Sequence, residues 1–343
     1  MKYKGLIIFF IIIILLIIFI TIYLKGYTHK YPKGQVDIIE SVEIGGIDQW
    51  IMANGYNTDL PVLLWIHGGP GSSQMPVARY YNSNLEKEFI VVHWDQRGAG
   101  KSNDKDFDEK TMTVEQFVND THELTQYLKE KFNKEQIYLL GHSWGTQIGI
   151  LTANKYSEDY IAYIGVSQVS DHYNSHIIAY EELRKRIISK NNLRDLDKLY
   201  LLKGPPYKNH SDYIPFTKLM NKYNMNMDIS MVEFIRVALG SGIYKISDFN
   251  KWLNGANRGS GPMWEESQGW EMLEIVPEIQ VPVFFIVGEN DYNTPLKTLT
   301  EYYEFLEAPK GKEIYIIPEA AHLPFFKNPD SFFEILLEIK NKN

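Results

Sequence analysis

The chain has 343 residues, of which 44% are hydrophobic and 23% charged, enough apolar material for a globular core and too much for a disordered chain. The formal net charge is −8 and no long basic run occurs, so nucleic acid is not an expected partner. The sequence has no cysteine, which excludes disulfides, thiolate metal ligands and a cysteine nucleophile.

The first predicted element is a membrane anchor at residues 6–24, where Thr21 is the only conventionally polar side chain. At about 1.5 Å per residue this helix would be roughly 28 Å long, close to the ~30 Å hydrocarbon core of a bilayer. The alternative is a cleaved signal peptide, which would have a shorter apolar stretch and small residues at the cut site. Residues 25–28 read Lys-Gly-Tyr-Thr, so we predict an uncleaved single-pass anchor within residues 1–30. Lysines flank both sides and do not decide the orientation; we expect the rest of the chain to lie outside the cytoplasm.

Short strands and helices alternate in the next part of the chain. Gly45-Gly46 is a hairpin turn signal between the first two strands, and Thr113 with Gln116 forms a capping box that starts an amphipathic helix. The predicted strands are 36–44, 47–53, 62–66, 89–94, 137–140 and 161–166, and the predicted helices are 113–132 and 144–156.

The alternation stops at about residue 169, and the sequence up to residue 270 is helix-like and rich in aromatic residues. The pattern then resumes with a strand at 281–287, a helix at 296–306, a strand at 314–317 and a helix at 330–340. Alternating strands and helices imply an α/β fold with a mostly parallel sheet covered on both faces. We therefore predict a catalytic core in two parts, 31–168 and 271–343, with an inserted helical cap at 169–270.

A candidate nucleophile is Ser143, in the sequence Gly141-His142-Ser143-Trp144-Gly145. This G-x-S-x-G pattern follows an apolar strand and precedes a helix, the setting in which α/β-hydrolases hold a serine on a strained turn. The glycines on either side remove side chains that would collide there. The pattern alone is weak, and its flanks make a nucleophile a better interpretation than a structural turn.

A serine nucleophile needs a base, which is in turn oriented by an acid, and this fold supplies them in the order serine, acid, histidine. Asp291 follows a predicted strand and His322 follows the last one. We predict Asp291 as the acid and His322 as the base, with Glu289 as the competing acid.

The oxyanion of the tetrahedral intermediate needs backbone N–H donors, and glycines allow the main chain to come close. The stretch His67-Gly68-Gly69-Pro70-Gly71 follows a strand. We predict that the Gly69 and Trp144 amides form the oxyanion hole.

Taken together, these motifs resemble the proline iminopeptidase group of α/β-hydrolases. The resemblance is carried by residues 67–71, the Ser143 turn, Gly288-Glu289-Asn290-Asp291, the late His322, and Asp95-Gln96-Arg97-Gly98-Ala99-Gly100-Lys101-Ser102. It implies removal of an N-terminal residue, typically proline, from short peptides, with neither a metal nor an organic cofactor.

Two features depart from the pattern of that group. His142 stands where the group usually has glycine, and the predicted cap shows no clear match to the acidic residues that hold the substrate's amino group. Several carboxylates remain candidates for that role: Glu181, Glu182, Glu233, Glu265 and Glu266.

Other functions compete with the aminopeptidase. A carboxylesterase or another acyl hydrolase could use the same triad, whereas epoxide hydrolases and dehalogenases have an aspartate in place of Ser143. A non-catalytic, membrane-anchored binding protein would be expected to have lost part of the triad.

Two further patterns mimic binding sites. Residues 98–102 resemble the end of a phosphate-binding loop but lack its first glycine. His172 and His176 have metal-ligand spacing on a helix but no accompanying H-E-x-x-H glutamate, so we expect exposed cap residues.

Overall fold

The computed structural model describes residues 10–11, 14, 31, 33–104, 108–207, 209–267 and 269–343. Within these residues the strands form one sheet in the spatial order β1-β2-β4-β3-β5-β6-β7-β8. Their bounds are β1 Val36–Ile44, β2 Ile47–Gly55, β3 Val62–Ile66, β4 Ile90–Asp95, β5 Ile137–His142, β6 Tyr160–Val166, β7 Val283–Gly288 and β8 Lys312–Ile317. The β1–β2 and β2–β4 pairs are antiparallel, and the remaining pairs are parallel.

Helices connect the parallel strands, as the sequence pattern predicts. Their bounds are α1 Met75–Asn82, α2 Val114–Phe132, α3 Trp144–Lys155, α4 His172–Ser189, α5 Leu193–Leu201, α6 His210–Lys222, α7 Met231–Gly240, α8 Ile246–Ser267, α9 Met272–Ile275, α10 Leu296–Phe305, α11 Pro324–Lys327 and α12 Pro329–Lys342. Short 3₁₀ turns lie at Ser83–Lys87, Gly100–Ser102, Glu109–Thr111 and Ser157–Asp159.

Both faces of the sheet are buried, which explains why its central strands are apolar throughout. Leu64 and Ile66 of β3 pack into one core cluster together with residues of α2 and α3. Their neighbours Leu63 and Trp65 pack into a second cluster with residues of α1 and α12. Successive side chains of a strand point to opposite faces, so a doubly covered strand must be apolar at every position.

Residues 169–270, which we call the inserted segment, contain helices α4 to α8 and leave the sheet after β6. The segment has its own core cluster, in which Leu183, Phe216 and Met220 are fully buried. Trp252 instead packs on the cluster that covers the sheet. The inserted segment is therefore held by an internal core and also by contact with the sheet layer.

The motif at residues 95–102 has a structural role. Arg97 is 1% exposed and forms two hydrogen bonds to the Asp120 carboxylate of α2, at 3.0 and 3.1 Å. It also donates to the carbonyl of Gly45 in the β1–β2 turn. Asp95 accepts hydrogen bonds from Ser73, from the amide of Lys101 and from the hydroxyl of Tyr244. These contacts join the hairpin, α2 and the inserted segment to the end of β4.

The predicted anchor at residues 6–24 lies outside the described residues except for Phe10, Ile11 and Ile14. Those three residues are helical, and each side chain is about half exposed. Across the described parts of the chain, none of the helices combines the length and the apolar character needed to cross a bilayer.

The Arg97–Asp120 pair should be a major contributor to stability. Replacing Asp120 by alanine would leave a buried guanidinium without its carboxylate, so we expect the free energy of unfolding to fall by about 3–5 kcal/mol. Denaturant unfolding followed by circular dichroism measures this change. The matched control is Glu109→Ala, because Glu109 pairs with Arg258 at an exposed site and such pairs contribute about 1 kcal/mol or less. Equal effects of the two substitutions would contradict the assignment.

Candidate active site

Ser143 lies on the turn that joins β5 to α3, where the backbone is strained. Its φ is 54° and its ψ is −126°, a region that residues with a Cβ rarely occupy and that costs roughly 1–3 kcal/mol. The Ser143 amide donates to the carbonyl of Val166, and its carbonyl accepts from both the amide and the hydroxyl of Thr146. These bonds fix the turn from both sides.

Glycines surround this turn because there is no room for side chains. A Cβ on Gly141 would come within 2.5 Å of the Gly145 carbonyl oxygen, and one on Gly145 within 2.5 Å of the carbonyl oxygen of Ile66. A Cβ on Gly68 would stand 2.9 Å from the Cβ of Ser143. The G-x-S-x-G pattern and the glycine after His67 are therefore both requirements of close backbone packing around Ser143.

The structure brings Ser143, His322 and Asp291 together in one line of hydrogen bonds. Ser143 Oγ lies 2.8 Å from His322 Nε2, and His322 Nδ1 lies 2.9 Å from Asp291 Oδ2. Because a carboxylate only accepts, Nδ1 carries the proton, and in the neutral ring Nε2 is free to accept the serine proton. This is the arrangement that a serine nucleophile and its general base require.

Asp291 is held as an anion. Burial raises the pKa of its carboxyl, but the charge and hydrogen bond of His322 and the amide of Thr294 outweigh burial and hold that pKa below its usual range. The Thr294 hydroxyl and the amides of Asn293 and Thr294 donate to the carboxylate. The competing acid, Glu289, instead accepts a hydrogen bond from the amide of Glu319.

The two predicted oxyanion donors line the same cavity as Ser143. Trp144 is the first residue of α3, so its N–H has no carbonyl partner within that helix. Gly69 has a φ of 120°, and a Cβ there would stand 2.6 Å from the amide nitrogen of Ser72. Only glycine fits this loop, as the predicted close approach of the main chain requires.

His142, which departs from the pattern of the resembled group, forms a hydrogen bond to the loop that carries the predicted base His322, which we call the base loop. Its Nε2 lies 2.9 Å from the carbonyl oxygen of His322, and its Nδ1 lies 2.9 Å from Gln74 Nε2. The carbonyl can only accept, so Nε2 carries the proton and Nδ1 accepts from Gln74. Burial lowers the pKa of His142 to about 3, which keeps this tautomer neutral.

A short stretch of the inserted segment clamps the loop that carries His322. The Asp228 carboxylate accepts from the amides of Ala321 and Leu323, at 2.7 and 2.6 Å. The His322 amide between them donates to the carbonyl of Asn226. Three successive amides of the base loop are thus bound by the inserted segment. Sequence reasoning missed Asp228 because no local pattern links it to residues more than ninety positions later.

Asn293 also contacts the base and was not predicted. Its Nδ2 lies 3.0 Å from His322 Nε2, and its Oδ1 accepts from the Tyr213 hydroxyl at 2.6 Å. The bond from Tyr213 orients the amide so that the nitrogen faces His322. The inserted segment therefore reaches the base through Tyr213 as well as through Asp228.

Ser143 lies between two cavities. The smaller has a volume of about 100 Å³ and is lined by rings and small side chains: Gly69, Pro70, Ser143, Trp144, Val169, His172, His176, His210, Tyr213, Trp264, Ser267, Asn293 and Thr294. The larger, of about 330 Å³, is bordered by His322, Ser143, polar residues such as Gln74 and Asn226, and apolar residues such as Met227, Phe234 and Phe326. No described residue lining either cavity is an aspartate, glutamate, lysine or arginine.

The expectation that His172 and His176 are exposed is wrong. His176 is 4% exposed, and both rings line the smaller cavity. Helix α4 lies with this face against Tyr213 and Trp264, whose rings stack or tilt against His176. The described side chains contain no group of three or more histidine, aspartate or glutamate residues arranged to hold a metal ion.

The acidic residues proposed to hold an amino group are engaged elsewhere. Glu181 pairs with Arg184 and Glu182 with Arg186, while Glu233 accepts from the Tyr81 hydroxyl and Glu266 from the amide of Val114. The side chain of Glu265 lies outside the described part of the structure. Arginines on the same helix, a tyrosine of α1 and the start of α2 therefore account for the four carboxylates that can be described.

Comparisons with known proteins agree with the motifs. A family profile described as "alpha/beta hydrolase fold" matches residues 61–329. The chain is 30% identical over 308 residues to a probable aminopeptidase, YbaC, of Bacillus subtilis, covering 89% of this chain and 96% of that protein. It is 25% identical over 291 residues to a proline iminopeptidase of Heyndrickxia coagulans, covering 84% and 92%. The crystal structure of a proline iminopeptidase from Mycobacterium smegmatis superposes with a TM-score of 0.62 at 20% identity, covering 89% and 98%. The predicted resemblance is confirmed, and these relatives give no support to a non-catalytic binding protein.

The Asp228 clamp generates a kinetic prediction. Asp228→Ala would leave two amides of the base loop without their acceptor, and we expect His322 to move relative to Ser143. A displacement near 1 Å lowers turnover by up to about a hundredfold, so kcat should fall roughly ten- to a hundredfold while KM changes little. Asp197→Ala, at an exposed site on α5, is the control. A change confined to KM would show that Asp228 acts on the substrate pocket instead.

Proposed function

The chain belongs to the α/β-hydrolase fold family and is a hydrolase, and we propose that it is a Ser143-dependent aminopeptidase acting on short peptides or aminoacyl amides. The observation that carries the proposal is the line of hydrogen bonds from Ser143 through His322 to the buried Asp291, at 2.8 and 2.9 Å. Ser143 lies on a strained turn between two cavities, and a nucleophile must be exposed in such a cavity to reach its substrate. The similarity to a probable aminopeptidase and to proline iminopeptidases supports the choice of substrate class.

In the proposed reaction, Ser143 Oγ attacks the carbonyl carbon of the first peptide bond while its proton passes to His322 Nε2. The amides of Gly69 and Trp144 donate to the oxyanion that forms, and Asp291 stabilises the protonated ring. His322 then gives the proton to the leaving amine, and the acyl-serine remains. Water, deprotonated by His322, attacks this ester and releases the N-terminal residue and free Ser143.

The inserted segment has a proposed role as a cap in this scheme. It supplies His176, Tyr213 and Trp264 to the smaller cavity and Met227 and Phe234 to the larger one. Both sides of Ser143 are therefore bounded by the same segment, which limits the access of bulk water to the site and strengthens electrostatic interactions there.

A second candidate function is that of a carboxylesterase or another acyl hydrolase. The observation that favours it is the lack of any carboxylate among the described residues that line the two cavities. An ester of a simple acid needs no partner for an amino group, and the same three side chains could cleave it. The fold alone does not choose between the two substrates.

We also propose that residues 6–24 anchor the enzyme in a membrane, with the catalytic part outside the cytoplasm. The proposal is supported by the unbroken apolar sequence, in which the described Phe10, Ile11 and Ile14 are helical with exposed apolar side chains. A helix of this length matches the hydrocarbon thickness of a bilayer.

The first prediction concerns the triad. Ser143→Ala should lower turnover by several orders of magnitude without loss of folding, as removal of triad members does elsewhere. Asp291→Asn should be far more damaging than Glu289→Gln, because only Asp291 contacts the base and its replacement favours the wrong tautomer of His322. Steady-state kinetics with unchanged circular dichroism would decide. The reverse ranking, or a Ser143→Ala enzyme with more than about a tenth of the parent rate, would refute the assignment.

The second prediction separates the two candidate functions. An aminoacyl amide with a free amino group should be cleaved at least about tenfold faster than its N-acetylated twin, because the acetyl group adds volume that the small cavity beside Ser143 rejects. The assay compares the two amides with a short acyl ester on the same preparation. Similar rates on both amides together with rapid ester cleavage would favour the acyl hydrolase.

The third prediction concerns the anchor. The full-length protein should sediment with membranes and stay there in high salt, since a spanning helix is held by hydrophobic burial that salt does not screen. A chain that starts at Tyr31 should be recovered in the soluble fraction with its activity intact. N-terminal sequencing is the control, and a mature protein that begins after Lys25 would replace the anchor with a cleaved signal.

A further inference from the structure

Helix α7 presents an apolar face to solvent. Its exposed residues are Met231, Val232 and Leu239, with exposed fractions of 58%, 75% and 41%, and none of them is polar. The half-buried Ile235 belongs to the same face, because at 3.6 residues per turn all four side chains fall within an arc of about 100°. The exposed face of a surface helix ordinarily carries charged and polar residues. We call these four residues the α7 stripe.

The opposite side of α7 is fixed to the core. Val237 and Ala238 are buried in the cluster that covers the sheet, and Phe234 packs against that cluster. The ring of Phe234 also stacks on Trp252 of α8, with centroids 5.3 Å apart. Turning the stripe inward would break these contacts, so it can be covered only from outside this core.

The end of the proposed membrane anchor lies near α7. The guanidinium of Arg79, on α1, stands over the ring of Tyr31, 4.5 Å from its centroid. Two residues further along α1, the Tyr81 hydroxyl donates a hydrogen bond to Glu233 of α7 at 3.2 Å. Helix α1 has eight residues and is therefore about 12 Å long. Tyr31 and α7 thus contact the same short helix.

The length of chain between the anchor and Tyr31 limits the distance of α7 from the bilayer. The anchor sequence ends at Leu24, and six residues separate it from Tyr31. Fully extended, this stretch spans at most roughly 25 Å. A tether this short keeps the effective concentration of the two surfaces in the millimolar range, so a contact that is weak between free partners becomes occupied.

The size of the stripe favours lipid over a second copy of the chain. Its four partly exposed side chains offer on the order of 300 Å², whereas each partner of a stable dimer buries about 800 Å². A bilayer needs no complementary surface, and burial of this apolar area favours lipid over water by on the order of a hundredfold or more.

We propose that the α7 stripe lies on the surface of the bilayer that holds the anchor. The proposal rests on the membrane anchor proposed above and adds a second contact between the enzyme and the lipid. Met231 also lines the larger cavity, which is bordered by Ser143 and His322. Because Met231 is exposed as well, that cavity reaches the surface beside the stripe, and the docked orientation places its opening next to the membrane.

The test locates single residues relative to the bilayer in the full-length protein, reconstituted into phosphatidylcholine vesicles. Because the chain has no cysteine, Val232→Cys introduces a single site for a fluorescent label. Lipids with a nitroxide near the headgroup quench labels at the membrane surface, so the label at position 232 should lose most of its fluorescence. Leu193→Cys is the matched control, since Leu193 of α5 is similarly exposed but has the exposed charged neighbours Arg194 and Asp197. Its label should keep its fluorescence.

A second label measures whether the stripe itself makes the contact. Leu239→Cys places it near the far end of the stripe, about 10 Å along the helix from Val232, and it should be quenched as well. Adding Val232→Glu should reduce this quenching severalfold, because a carboxylate keeps its water rather than enter lipid, whereas adding Leu193→Glu should leave it unchanged. Val232 lines neither cavity beside Ser143, so Val232→Glu should cleave short soluble substrates at the parent rate.

The outcomes separate this proposal from those on which the article's function rests. Protein that does not float with the vesicles would refute the anchor and the docking together. Protein that floats, but whose labels at 232 and 239 are quenched no more than the label at 193, would refute the docking and leave the anchor. Dimers in detergent that Val232→Glu dissociates, measured by analytical ultracentrifugation, would assign the stripe to a second copy and overturn the proposal. Cleavage of soluble aminoacyl amides and esters decides the proposed reaction independently of all three.

Discussion

Ser143 holds a left-handed backbone, with φ 54° and ψ −126°, at the point where β5 becomes α3. That conformation brings the start of α3 so close to β3 that a Cβ on Gly145 would stand 2.5 Å from the carbonyl oxygen of Ile66, and a Cβ on Gly68 would stand 2.9 Å from the Cβ of Ser143. The same closeness places the free amide of Trp144 and the loop of Gly69 beside one hydroxyl. Four parallel strand pairs, from β3 to β8, bring the loops of Asp291 and His322 to the same edge of the sheet as the Ser143 turn. The three side chains therefore meet at a turn that is possible only because its neighbours are glycines.

The inserted segment lines the two cavities and also holds the loops that carry Asp291 and His322. Asp228 and Asn226 bind three successive amides of the base loop, and the amide of Tyr292, next to Asp291, donates to the carbonyl of Met225. The loops of the acid and of the base are therefore both tied to one stretch of the segment. A loop outside regular structure has few bonds of its own to hold a side chain within a fraction of an ångström, and here those bonds are supplied by a part of the chain that leaves the sheet. The segment that lines both cavities beside Ser143 therefore also holds the loop that carries His322.

The sequence predicted well what depends on local pattern. Strand 62–66 and helix 113–132 appear at the predicted positions, because a doubly buried strand and a capped amphipathic helix each carry their signal within a few residues. Ser143, Asp291 and His322 could be selected for the same reason, since each follows a strand end. The burial of His172 and His176 could not be predicted, because it depends on α6 and α8 packing against α4. The Asp228 clamp and the bonds of Arg97 to α2 likewise join positions that are distant in the chain. Helix α1 was not predicted because it is short and directly follows a glycine-rich loop.

The contacts of His322 Nε2 connect the smaller cavity to the chemistry. A neutral imidazole has one lone pair at that nitrogen, yet both Ser143 Oγ, at 2.8 Å, and Asn293 Nδ2, at 3.0 Å, are within hydrogen-bonding distance of it. The two donors must share it, and a stronger bond from Asn293 weakens the pull on the serine proton. Asn293 is oriented by the hydroxyl of Tyr213, whose ring lines the smaller cavity and packs against His176. The ring of Tyr213, which lines the smaller cavity, is therefore linked through Asn293 to the same nitrogen that Ser143 contacts.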